Sequence, residues 1–173
     1  MNNNISLLKL DSNFNTSWSK NIGNYQSIPK SIIQTSDSGF IITAQIKIGS
    51  DYYIYVLKTN SVGDTLWTRT LGDGFGKAGN VKEIVGVGYI IVANELDTTT
   101  NNWNARLIKI DMSGNTIWIK SFPDFWICAV DITNDGGFVF TGSWMDIKIA
   151  KTDSSGNILW QKNYGDGVNY YQS

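Results

Sequence analysis

Short apolar stretches alternate with clusters of turn-forming residues along the whole chain, and two kinds of stretch recur. In the first kind, two strand-like segments flank a tight loop. Leu7–Asp11, Ile54–Asn60, Leu107–Asp111 and Ile147–Asp153 lead into Thr16–Ile22, Thr65–Leu71, Thr116–Phe122 and Asn157–Tyr164. Three of the loops place Gly63, Gly114 or Gly156 third, where a short hairpin requires positive φ. The first loop carries Phe14 there, which predicts a distorted turn. The second kind reads Ile32–Thr43, Val130–Gly142 and, more weakly, Glu83–Val92: a strand, a glycine turn, and a strand opened by an aromatic residue. Its glycines, Gly39, Gly88 and Gly137, are 49 residues apart in both intervals.

Lys9–Trp18, Lys58–Trp67, Lys109–Trp118 and Lys151–Trp160 are four copies of one phrase, each ending in Trp nine positions after its Lys. Regular internal repetition indicates one supersecondary unit stacked several times. Taking the second kind of stretch as strands A and B and the first as C and D gives four-stranded units. The B runs (FIIT, YIIVA, FVFTG) are apolar at both odd and even positions, as expected where both faces of a sheet are covered. The pattern predicts an all-β, propeller-like array of four-stranded antiparallel blades, three complete and preceded by an N-terminal half blade. The half blade spans 5–23 and the blades about 28–72, 79–122 and 126–165, in a single repeat domain over 1–173. No segment shows helical periodicity.

A net charge of −1 gives no electrostatic footprint for nucleic acid or an anionic membrane. The chain has no histidine, which removes the commonest general base and metal ligand and excludes any Ser-His-Asp or Cys-His nucleophile. The single cysteine, Cys128, can form neither an internal disulfide nor a paired zinc site, and its apolar run (FWICAV) predicts a buried, inert thiol. The first residues show no basic segment followed by an apolar one, and no apolar stretch reaches membrane-spanning length.

The motifs that carry oxygen ligands read best as turns. Asp111-x-Ser113-x-Asn115 and Asp153-x-Ser155-x-Asn157 begin like a calcium loop. The position where such a loop needs a carboxylate holds Ile22, Leu71, Phe122 or Tyr164 in the four copies. Asp37 and Asp135 fall in A–B turns. Gly72–Gly76 lacks the Lys-Ser/Thr and the helix that a phosphate loop needs, and reads as a connection between blades. Asp51, Asp97, Asp124, Asp131 and Asp146 lie outside the repeat, but no spacing brings two of them together as a glycosidase requires. No catalytic, metal or cofactor site is expected. Trp103, Trp126 and Trp144 have no counterparts in the other units, and Tyr52-Tyr53 opens a strand C. These flat aromatics at the mouth of a propeller are the candidate ligand contacts, for a glycan or a peptide.

On these residues the chain resembles a β-propeller, and more narrowly the repeat arrays of secreted and cell-surface proteins of Bacteroidetes-type bacteria. Those arrays carry D-x-x-G-N-x-x-W-x-K followed by T-x-D-G-G-F. The matching residues are Asp111, Gly114, Asn115, Trp118 and Lys120, again Asp153, Gly156, Asn157, Trp160 and Lys162, and then Thr133, Asp135, Gly136, Gly137 and Phe138. A more distant likeness is to quinoprotein-type blades, in which the motif tryptophan docks between neighbours. The resemblance implies that structural role for Trp18, Trp67, Trp118 and Trp160, and an exported or surface location. A basic residue follows each Trp by two positions (Lys20, Arg69, Lys120, Lys162), on the same strand face, and is expected to meet a ring or a turn carboxylate of a neighbour.

The expected function is a non-catalytic interaction or scaffold module. The alternatives are a partial propeller that completes a ring or fibre with other copies, or a piece of a larger propeller enzyme. Closed propellers typically use about four to eight blades, so a homo-oligomer or the remainder of a longer propeller is the expected partner. Asn169–Ser173 echoes Asn24–Ser27, just before the first strand A.

Overall fold

The computed structural model describes residues 4–23, 26–123, 125–143 and 146–165. Asp124, Trp144, Asn24-Tyr25 and the Asn169–Ser173 echo lie outside them. Among the described residues fourteen strands form one two-stranded and three four-stranded antiparallel sheets. The half blade pairs β1 (Ile5–Leu10) with β2 (Thr16–Ile22). Blade I is β3 (Gln26–Gln34), β4 (Phe40–Ile48), β5 (Asp51–Thr59) and β6 (Thr65–Leu71). Blade II is β7 (Gly76–Ile84), β8 (Gly88–Asp97), β9 (Asn102–Asp111) and β10 (Thr116–Pro123). Blade III is β11 (Ile127–Ile132), β12 (Phe138–Ser143), β13 (Ile147–Thr152) and β14 (Ile158–Tyr164). Each four-stranded sheet is a simple meander in chain order, so its strands A to D run from one edge to the other.

The doubly apolar B strands divide their side chains between two seams. Ile42, Ala44 and Ile46 of β4 pack with Ile5 and Leu7 of the half blade, whereas Ile41 packs with Tyr89, Ile91 and Ala93 of β8. Ile90 and Val92 of β8 turn the other way, onto Phe138 and Phe140 of β12. This is the strand period of two applied to a sheet covered on both faces. Among the described residues, three seams hold three hydrophobic cores.

Gly39 and Gly137 precede strand B, and Gly88 opens it, because the neighbouring C strand passes too close for any side chain. A Cβ on Gly88 would stand 2.0 Å from the carbonyl oxygen of Ile110, and on Gly39 or Gly137 2.2 Å from that of Thr59 or Thr152. The C–D hairpins share a register shift just before the loop, as between Lys58 and Thr59 or Lys151 and Thr152. That bulge re-aims the last loop residues.

Two local expectations are corrected. The first hairpin loop is not distorted. Asp11 N donates to Asn15 O at 2.9 Å and Phe14 N to Asp11 O at 3.1 Å, matching 2.8 and 3.0 Å for the same bonds at Asp111–Asn115. Phe14 adopts φ 63, the left-handed region that its counterpart glycines occupy. Cys128, in turn, is exposed rather than buried. It lies where the β11–β12 register shifts between Ile127 and Ala129, so the bulge turns it away from the Ile127–Val130 side that packs in the core.

Candidate functional site

The meander places all A–B and C–D turns at one end of the blades and all B–C turns and D–A connections at the other. The first end is occupied by structural contacts. Asp111 Oδ1 accepts from Ser113 N at 2.9 Å and Asn115 N at 2.8 Å, and Asp153 Oδ1 from Ser155 N and Asn157 N at the same distances. The bonds from Asn115 hold the Asp111 carboxyl below its ordinary value, and those from Asn157 do the same for Asp153. The oxygens that resembled calcium ligands are thus directed at their own loop amides. No group of three or more His, Cys, Asp or Glu side chains among the described residues is placed to hold a metal ion.

Strand D of the half blade and of blades I and II reaches forward to the next C–D loop. A Cβ added to Gly63 would meet the Trp18 indole at 2.8 Å, to Gly114 the Trp67 indole at 2.9 Å, and to Gly156 the Trp118 indole at 3.0 Å. The same rings lie 5.9–6.2 Å from Phe40, Tyr89 and Phe138, the residues that open strand B of the next blade. Trp67 Nε1 donates to Met112 O at 3.1 Å. The following cation completes the contact: Lys20 Nζ to Asp64 at 2.7 Å, Arg69 to Ser113 O at 2.7 Å, and Lys120 to Asn157 Oδ1 at 3.1 Å. Trp160 meets no further C–D loop among the described residues and is 41% exposed.

The other end carries the residues outside the repeat. Trp103 near the start of β9 and Trp126 just before β11 come together across the seam between blades II and III, with ring centroids 5.3 Å apart at 56°. Lys77 of β7 places its ammonium 4.5 Å from the Trp103 ring and 4.8 Å from the Trp126 ring. Tyr52 and Tyr53 stand at the B–C turn of blade I, on opposite faces of its sheet. Tyr53 packs into the seam with the half blade, and Tyr52 lies beside Lys47, 5.8 Å from its ammonium. Trp144 lies outside the described residues.

At the same end, between blades I and II, Asp73, Glu95, Asp97, Thr99 and Arg106 line a polar cavity of about 280 Å3. Glu95 pairs with Arg106 at 3.0 Å and accepts from Asp73 N at 2.9 Å. Asp97 caps its own turn through Thr99 N at 2.9 Å, which holds its carboxyl low. Of the other carboxylates outside the repeat, Asp131 pairs with Lys82 at 3.2 Å. Sequence reading missed Lys77 and the Glu95–Arg106 pair. They have no repeat signature: Glu95 and Arg106 meet across β8 and β9 of one blade, and Lys77 meets Trp103 of its own blade and Trp126 before the next.

No protein-family model and no curated protein matches the chain. Among solved structures it is similar to a protein of unknown function from Bacteroides caccae, at 9% identity and a TM-score of 0.60. The match covers 92% of this chain and 58% of the Bacteroides chain, so this chain spans little more than half of that protein. At this identity the likeness concerns the fold.

Proposed function

We propose that the chain is a non-catalytic interaction module that binds a glycan or peptide on its B–C-turn end. The observation that carries this reading is the division of labour between the two ends. The repeated Asp, Asn, Gly, Trp and Lys residues of one end are engaged in seams and turns. The unrepeated Trp103, Trp126, Lys77, Tyr52, Glu95 and Arg106 gather at the other. Lys77 is exposed and long, so its displacement would open two indole faces to a sugar ring or an apolar peptide side chain. The resemblance to surface repeat arrays favours an exported or surface setting for such binding. Glycan and peptide arrays probed with wild-type and Trp103→Ala protein test the reading. Binding that is lost in the variant supports it, and equal or negligible binding by both removes it.

A second reading, continuation of the array by further blades, rests on its two unsatisfied ends. Among the described residues strand β1 pairs only with β2, and a cleft of about 500 Å3 lined by β1, Trp18, Ile32, Phe40 and Ile42 lies where strands A and B of the half blade would sit. Blade III exposes Ile147, Trp160 and Tyr164 on its outer face.

A further inference from the structure

The outer face of blade III repeats the forward-facing side of blades I and II. Trp160 and Lys162 stand where Trp67 and Arg69, or Trp118 and Lys120, grip the next loop. Continuity with those seams specifies the occupant: a blade whose C–D loop approaches the indole without a Cβ. Among the described residues, the one C–D loop not already gripped is that of the first hairpin. It keeps every other part of the acceptor. Its Asp11 and backbone bonds match those of the other loops, and Asn15 occupies the place of Asp64, Asn115 and Asn157, the position reached by the gripping Lys20 and Lys120. Only the glycine is replaced. Phe14 holds a left-handed φ of 63, unusual for a bulky residue, and is 84% exposed. At the corresponding glycines even a lone Cβ would come within 2.8–3.0 Å of the gripping indole, so the Phe14 Cβ blocks that approach before its ring is considered.

We propose that Phe14 excludes this chain's own first hairpin as a partner for blade III, reserving that face for a blade with a glycine loop. The strained aromatic in place of glycine prevents copies from adding head to tail through the Trp160 seam. The proposal rests on the second reading above, since it takes the blade III face to be one that receives blades.

Sedimentation velocity of the full chain over a wide concentration range tests it. Wild-type protein and Phe14→Ala, which keeps the Cβ, should show no association that depends on Trp160. Phe14→Gly should associate as concentration rises, and adding Trp160→Ala should restore the wild-type mass. Wild-type oligomers that dissolve on Trp160→Ala would overturn the exclusion while keeping the second reading. A Phe14→Gly protein that sediments like wild type would overturn both. Glycan or peptide binding at the other end is scored separately and moves with neither result.

Discussion

Lys58 and Asp37 lie 2.8 Å apart across the A–B turn of blade I, the ammonium 3% exposed and the carboxylate 47%. Lys58 also donates to Thr59 O at 2.9 Å, and Asp37 also accepts from Gly39 N at 2.9 Å. The pair closes the turn against strand C, and Lys151–Asp135 repeats it at 2.6 Å in blade III. Its two partners are unequal. Removing Asp37 strands a buried ammonium, whereas removing Lys58 leaves a carboxylate that water already reaches. Asp37→Ala should therefore cost about 3 kcal/mol and Lys58→Met about 1 kcal/mol in urea unfolding. Equal losses would mean that the enclosure of Lys58 carries no energetic weight.

The same pair sets an acid response. The hydrogen bond from Lys58 is the main cause holding Asp37 at about 2. A folded value below the ordinary carboxylate value means that the unfolded chain binds this proton more tightly. The stabilisation is then complete above about pH 4 and is lost as pH falls towards 2. Because the carboxylate is half in water, the contribution expected is about 1 kcal/mol. Asp135 is displaced in the same direction, chiefly by Lys151. Unfolding free energy measured from pH 6 down to pH 2 should fall less steeply in Lys58→Met than in wild type.

Two glycines of nearly equal φ separate backbone strain from seam packing. Gly136 has φ 78 and no atom within 4 Å of an added Cβ, while Gly114 has φ 81 with the Trp67 ring at 2.9 Å. Gly136→Ala should cost about 1 kcal/mol, the strain of a left-handed alanine. Gly114→Ala should cost at least about 1 kcal/mol more through overpacking against the indole. Matching losses in thermal unfolding would show that the Trp67 contact yields without cost.

The tryptophans should differ by position. Trp118 lies against Gly156 and Phe138, so Trp118→Ala should lose about 3 kcal/mol. Trp160→Ala should lose about 1 kcal/mol or less, since its ring has no loop to cover. At this chain length each kcal/mol corresponds to about 2–4 °C in Tm.

Cys128 should react fully with a thiol reagent in the folded protein, without denaturant, because its side chain is exposed. Protection until unfolding would contradict the bulge that turns it outward.

The order of strands was legible because one unit is written several times, and the glycines mark its turns in register. The assignment of Ile41 and Ile42 to opposite seams could likewise be read from runs apolar at every position. Cys128 was misread because FWICAV looks like core, and only the pairing of β11 with β12 reveals the bulge. The first hairpin was misread because Phe14 breaks the glycine rule, yet the surrounding Asp11 and Asn15 bonds suffice to hold the loop. Lys77 and Trp103 stand on β7 and β9 of blade II and Trp126 just before blade III, far apart in the chain. Their meeting depends on how one sheet is rotated against the next, which no local pattern encodes.

Every seam points the same way, with strand D of one unit closing on the loop of its successor. Trp67 and Trp118 meet equivalent glycines, and Lys20 and Lys120 reach equivalent loop positions, Asp64 and Asn157. Such joints are interchangeable along the stack. Unequal crossing-over that dropped blade II would leave Trp67 facing Gly156 and Arg69 facing Ser155, a junction already supplied with both halves of its clasp. Gene-level gain or loss of whole units can thus change the length of the array while leaving the grammar of its joints intact.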